Sequence, residues 1–147
     1  MPLNRAYLGR TLGPLERHRV TEEELRAFAD AVGDHNPAHR DPAGAARYGH
    51  PAVVAVPTYV VALALRAERP LFDDPEFGAD PARLRHLEAN AAVHRPVYAG
   101  DVLRCAVRVD LIEPIGPHEL LTTVTSVMEA SGRPVAEVRS VVVVLGG

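Results

Sequence analysis

The chain has 147 residues, of which 47% are hydrophobic and 24% are charged, so we expect one folded domain over residues 1–147. Sixteen Lys and Arg residues against nineteen Asp and Glu residues give a net charge of −3, which excludes a basic nucleic-acid-binding surface. The single cysteine, Cys105, excludes an internal disulfide and a multi-cysteine zinc site. No apolar run reaches the roughly 20 residues of a membrane span, and no signal-peptide pattern opens the chain. We therefore expect a cytoplasmic protein that does not bind membranes.

The first predicted element is a helix that follows an irregular N-terminal segment. Thr21 and Glu24 have the spacing of a capping box, in which each residue satisfies a free amide at the start of the helix. Apolar residues from Leu25 to Val32 recur at helical spacing, and Gly33 is suited to end the helix.

The second and longer predicted helix covers residues 58–69. Pro57 fits the first turn of a helix, and Pro70 is expected to prevent its continuation. Residues 58–65 are apolar on every side, which predicts a buried helix. We expect a loop between the two helices, with room for a short helix at Pro42–Arg47, and an acidic surface loop over residues 71–83.

The C-terminal half changes to the period of β-strands. Strands are predicted at 85–98, 102–112, 120–128 and 135–145, with a turn at 130–134. Helices that precede a run of antiparallel strands indicate an α+β protein. Because the long helix is apolar all round, the compact arrangement is a sheet wrapped around it.

The segment after Gly33 is the candidate site. Asp34 and His39 lie on either side of a turn containing Pro37, where their side chains can converge on one water molecule and move protons. Asn36 is suited to hold the shape of this turn through its side chain. The same residue types also fit an ordinary turn with a solvated His39. His35 and His39 have the spacing of metal ligands on a helix, but Pro37 interrupts that helix and no third ligand is evident, so no metal is expected.

Three stretches resemble one known family. Its hydratase motif has an aromatic residue, then Gly-Asp-x-Asn-Pro-x-His, then five residues and a small one. The matching residues here are Phe28, Gly33, Asp34, Asn36, Pro37, His39 and Ala45. Residues 49–59 and 94–103 resemble the approach to the central helix and a later strand entry in that family. The chain thus resembles the MaoC-like (R)-specific enoyl-CoA hydratases and 3-hydroxyacyl dehydratases, and most closely the fatty-acid-synthase-like dehydratase subunits of actinobacteria.

The resemblance implies a hotdog fold, in which an antiparallel sheet wraps a central helix. It also implies interconversion of trans-2-enoyl and (R)-3-hydroxyacyl thioesters, carried by coenzyme A or an acyl carrier protein, in fatty-acid or polyketide metabolism. Asp34 and His39 would be catalytic without any cofactor, and Gly33 and Asn36 would support their loop. The backbone amide of Thr58 would stabilise the negative charge on the thioester oxygen.

The sequence also suggests which residues bind the phosphates of the substrate and how many chains assemble. Arg83, Arg85 and Arg95 are candidates to meet the phosphates of coenzyme A or phosphopantetheine. An exposed edge strand predicts a homodimer, and a heterodimer with a second hotdog chain is the alternative. Two other functions stay open: a non-catalytic acyl-binding partner subunit and, with less support from the motif, an acyl thioesterase.

Overall fold

The computed structural model describes residues 2–146, which form a six-stranded antiparallel sheet and three α-helices. The helices are α1 (Glu22–Val32), α2 (Pro42–Arg47) and α3 (Tyr59–Phe72). The strands are β1 (Thr11–Leu12), β2 (His18–Arg19), β3 (Leu84–Val93), β4 (Val102–Ile115), β5 (His118–Glu129) and β6 (Pro134–Val144). Short 3-10 turns lie at Arg5–Tyr7, Pro37–His39 and Pro81–Arg83.

The sheet has the strand order β1-β4-β5-β6-β3, and β2 pairs with β4 beside β1. Helix α3 packs against β3, β4, β5 and β6, so the sheet wraps around it as predicted. The core between them is formed by apolar side chains of the helix and sheet, among them Tyr59, Val60, Leu63, Leu103, Val127 and Val138. No helix within residues 2–146 combines the length and apolar character needed to cross a membrane.

Helix α1 begins with half of the predicted capping box. The Glu24 amide donates to Thr21 Oγ1 at 3.1 Å. The Glu24 carboxylate does not return to Thr21, because it accepts a 2.6 Å hydrogen bond from the Tyr59 hydroxyl and lies 2.9 Å from both His18 and Arg66. Glu24 therefore ties α1 to α3 in addition to supporting its own helix.

The prediction that Pro70 ends the central helix is wrong. Helix α3 starts at Tyr59, with Thr58 as its N-cap, and continues through Pro70 to Phe72. Pro70 cannot donate to the carbonyl of residue 66 and crowds it, but the complete burial of Leu71 in the last turn offsets this cost.

The predicted surface loop over residues 71–83 is also partly buried. Leu71 and Phe77 are completely buried in a second core cluster with Leu3 and Tyr7. At the other end of the sheet, β3 stops at Val93 rather than reaching residue 98, because Pro96 has no amide to offer a neighbouring strand.

Candidate active site

The C-terminus of α1 sets the position of Asp34. Gly33 adopts the left-handed conformation, with φ of 74°, that ends the helix at little steric cost. The Asp34 amide then donates back to the Ala29 carbonyl at 2.8 Å. The Asp34 side chain is fixed in turn, because its Oδ1 accepts a 2.9 Å hydrogen bond from the Asn36 amide. Within residues 2–146, Oδ2 accepts no hydrogen bond.

The 3-10 turn Pro37–His39 presents the histidine. Asn36 caps this turn by accepting a 3.0 Å hydrogen bond from the Ala38 amide. Helix α2 packs directly on the turn through Gly44, where a Cβ atom would lie 2.3 Å from the Pro37 carbonyl oxygen. Only glycine allows the two backbones to come so close, so Gly44 sets the position of His39.

The hydrogen bond of His39 to the main chain decides its tautomer. Its Nδ1 lies 2.7 Å from the Val54 carbonyl oxygen, and a carbonyl only accepts, so Nδ1 carries the proton. In the neutral ring Nε2 is therefore an acceptor, and it faces Asp34 Oδ2 at 3.6 Å. This distance is longer than a direct hydrogen bond and leaves the two groups free to share one water molecule. The His39 side chain is buried, whereas that of Asp34 is one-third exposed.

Arg40 fastens the loop to the end of α1. Its guanidinium donates to the Asp34 carbonyl oxygen and pairs with the Asp30 carboxylate, both at 2.7 Å. These contacts hold the backbone of Asp34 and leave its carboxylate available.

A cavity of about 520 Å³ opens beside His39. Its walls are mostly aliphatic and come from residues 54–57 and 93–97, with Val60 of α3 and the imidazole of His50. Of the two candidate catalytic side chains, His39 lies in the wall of this cavity and Asp34 does not. A mostly apolar cavity that ends at such an imidazole suits a substrate with a hydrocarbon chain and one reactive polar group.

Thr58 directly follows Pro57, which lines this cavity, but is not itself one of the lining residues. Among residues 2–146, no oxygen accepts a hydrogen bond from the Thr58 amide, and its hydroxyl makes no cap bond to the helix. The amide at the positive end of α3 is therefore available to a ligand.

The three candidate arginines do not gather within one chain. Arg95 lies in the cavity wall, but Asp101 and Glu129 bind its guanidinium at 2.9 and 3.0 Å. The hydrogen bond and charge of Asp101, with those of Glu129, raise the pKa of Arg95 despite partial burial. Arg83 and Arg85 lie at the opposite end of β3, whose ten residues span roughly 30 Å.

Comparison with known proteins identifies the family. The sequence pattern of the family described as "FAS1-like, dehydratase domain region" matches residues 6–138. The chain belongs to this FAS1-like dehydratase family. A relative named only as a UPF0336 protein, from Saccharopolyspora erythraea, is 38% identical over 146 residues and covers 99% of this chain and 94% of its own length.

Solved structures place the FAS1-like dehydratase chain among hotdog proteins. A MaoC-like dehydratase superposes with a TM-score of 0.86 at 29% identity, over 97% of this chain and 43% of that protein, so our chain spans less than half of its length. The C-terminally truncated HadBC (3R-hydroxyacyl-ACP dehydratase) complex of Mycobacterium tuberculosis gives a TM-score of 0.83 at 24% identity, over 93% of this chain and 96% of that one. The predicted hotdog fold and family are thereby confirmed.

Three further groups of this FAS1-like dehydratase contribute to the site, and the sequence alone did not predict them. The Val54 carbonyl fixes the tautomer of His39, but a main-chain oxygen leaves no signal in a sequence. Gly44 lies in the segment predicted as a loop with a short helix, and nothing in that pattern marks its contact with Pro37. His50 received no role, although its place in residues 49–59, the stretch leading to the central helix, could have marked it.

Proposed function

We propose that this chain is a hydratase and dehydratase that interconverts trans-2-enoyl and (R)-3-hydroxyacyl thioesters at Asp34 and His39. The observation that carries the proposal is the 3.6 Å approach of His39 Nε2, an acceptor by its tautomer, to Asp34 Oδ2 beside an apolar cavity. Membership of the FAS1-like dehydratase family and the likeness to a MaoC-like dehydratase support the same reaction.

Asp34 and His39 each accept a hydrogen bond from one water molecule. The water oxygen then has a lone pair free to face the substrate. In hydration, the water oxygen forms a bond to C3 and one of its protons passes to the pair. A proton returns from the pair to C2, the C2–C3 double bond becomes single, and both residues end the turnover in their starting state. Dehydration follows the same steps in reverse, with the hydroxyl leaving as water.

Negative charge collects on the thioester oxygen as water adds to C3. The unpaired amide of Thr58 is the donor we assign to this oxygen, since it lies at the positive end of α3 and the helix fixes its direction. A backbone donor needs no reorganisation as charge develops, which is why we assign the amide rather than the Thr58 hydroxyl.

We also propose that a second copy of the chain completes the phosphate-binding part of the site. Strand β3 is an edge that pairs with β6 on one side, and its side chains are largely exposed. Antiparallel pairing of two β3 edges brings the start of one strand beside the end of the other. Arg83 and Arg85 of the partner subunit would then lie beside Val93 and the cavity mouth. A second hotdog chain could occupy the same edge in a heterodimer.

The test uses the purified chain with crotonyl-CoA. Hydration predicts loss of the enoyl absorbance without free thiol. Release of free thiol would indicate a thioesterase, and an unchanged solution would indicate an acyl-binding subunit. The variants Asp34→Asn and His39→Gln are each expected to lose on the order of a hundredfold or more in turnover. His35→Gln, in the same loop but exposed, is the control and should keep full activity.

A further inference from the structure

His50 lies in the wall of the cavity that contains His39 and has no part in the chemistry described above. Its ring is half-buried and directly follows the end of α2, where the His50 amide donates to the Ala45 carbonyl at 3.1 Å. His39 is buried and His50 is partly exposed, so His50 is the one of the two that lies nearer to solvent.

The tautomer of His50 follows from its contact with Tyr98. Its Nδ1 lies 3.1 Å from the Tyr98 hydroxyl, and the two rings are tilted with centroids 5.7 Å apart. Both groups can donate or accept, but a phenol O–H is the stronger donor and an imidazole nitrogen the stronger acceptor, so the favoured pairing has the phenol donating to Nδ1. The proton of the neutral ring is then on Nε2, which has no partner within residues 2–146.

Two of the three histidines that line the cavity, His39 and His50, therefore differ in hydrogen-bonding character. His39 offers a lone pair on Nε2, because its Nδ1 proton is bound to the Val54 carbonyl. His50 offers a proton on Nε2, because its Nδ1 lone pair is bound to the Tyr98 hydroxyl. Tyr98 also forms a β-bridge to Val54, so the hydrogen-bond partners of the two rings are held next to each other by main-chain pairing.

We infer that His50 donates a hydrogen bond to an amide carbonyl of the carrier arm of the substrate. This inference rests on the proposed function, which assigns the water to Asp34 and His39 and the thioester oxygen to Thr58. The remaining polar groups of a coenzyme A or carrier-protein thioester near the reacting carbons are the amides of its pantetheine arm. That arm must cross the cavity mouth, where an N–H donor meets an amide oxygen at little desolvation cost. His50 is thus a determinant of substrate binding, not a participant in proton transfer.

The kinetic test compares His50→Phe on two substrates. With crotonyl-CoA, the variant should raise KM about tenfold and leave kcat within twofold, because a ground-state hydrogen bond is lost. With S-ethyl thiocrotonate, which has no amide, variant and wild type should have equal kcat/KM. Equal losses on both substrates, or a fall in kcat alone, would overturn the inference. His35→Phe, outside the cavity, is the matched control.

Two further measurements do not depend on turnover. Calorimetry with butyryl-CoA should give a Kd about tenfold weaker for His50→Phe, and an unchanged Kd would overturn the inference even if the chain proves to be no hydratase. Nitrogen-15 NMR of the wild type should find the His50 proton on Nε2 and the His39 proton on Nδ1. Tyr98→Phe should abolish the preference of the His50 proton for Nε2 and raise KM about threefold. A wild-type His50 that carries its proton on Nδ1 would overturn the assignment.

Discussion

Replacing Gly44 with alanine should damage the active site without touching a catalytic residue. A Cβ atom at this position would lie 2.3 Å from the Pro37 carbonyl oxygen and 2.7 Å from Pro37 Cβ, whereas such contacts are essentially never closer than 3.0 Å. Helix α2 and the Pro37–His39 turn must therefore separate by about 0.7 Å. Because Ala45 beside it is completely buried and the Asp41 side chain caps α2 at 2.6 Å, we expect the turn to move.

The displacement acts on the 3.6 Å gap that holds the water between Asp34 and His39. A misplacement approaching 1 Å costs up to about a hundredfold in rate, so Gly44→Ala should lower kcat by roughly ten- to a hundredfold. Overpacking should also lower the free energy of unfolding by about 1–3 kcal/mol.

The assay is hydration of crotonyl-CoA combined with urea unfolding. Gly132→Ala is the control, since its φ of 96° strains an alanine but nothing lies within 4 Å of the added Cβ. It should lose about 1 kcal/mol of stability and no activity. If Gly44→Ala retains wild-type kcat while its stability falls, the turn does not position His39 through this contact, and the reasoning is wrong.

Three further predictions concern the amide donor, a buried carboxyl and the dimer. Thr58→Ala keeps the amide and should keep most of the activity. Thr58→Pro lacks the amide and should lose activity in a chain that circular dichroism shows to be folded. Loss of activity in Thr58→Ala would assign stabilisation of the thioester oxygen to the hydroxyl. Burial raises the pKa of Glu68 even though Thr123 donates a hydrogen bond to its carboxylate, so the folded state retains a proton that the unfolded chain releases above about pH 4.5. Stability should therefore fall as the pH rises above 4.5 toward the folded pKa, and Glu68→Gln should flatten that dependence in chemical unfolding; an unchanged slope would contradict the assignment. Asp34→Asn chains mixed with equal amounts of the Arg83→Glu/Arg85→Glu double variant should recover about a quarter of wild-type activity. Half of the dimers then contain one chain of each kind, and one of the two sites in such a dimer combines an intact Asp34 with intact arginines from the partner. No recovery in mixed dimers would place the arginines outside the partner's site.

The sequence predicted the ends of α1 and the Asp34–His39 turn correctly, because residues close along the chain determine both. Thr21 caps α1 and Gly33 ends it because both act through amides within a few residues. The turn holding Asp34 and His39 was predictable for the same reason, since Asn36 and Pro37 shape it from within.

The errors arose where distant contacts outweigh local preference. Pro70 was expected to end α3, yet the burial of Leu71 against residues from the N-terminus and the 73–80 segment keeps the last turn helical. The partner of His39 is a main-chain oxygen 15 residues away, and that of His50 is a phenol 48 residues away. Neither pairing has a periodic signature, so the tautomers that define the site required the structure.

The most direct test of the account is a double-mutant cycle on Asp34 and His39. Because both residues bind the same water, removing either one should disable the pair. We expect Asp34→Asn, His39→Gln and the double variant to hydrate crotonyl-CoA at similarly low rates, with the double variant within about threefold of the slower single variant. Losses that multiply in the double variant would mean that the two residues act independently, which would contradict a shared water.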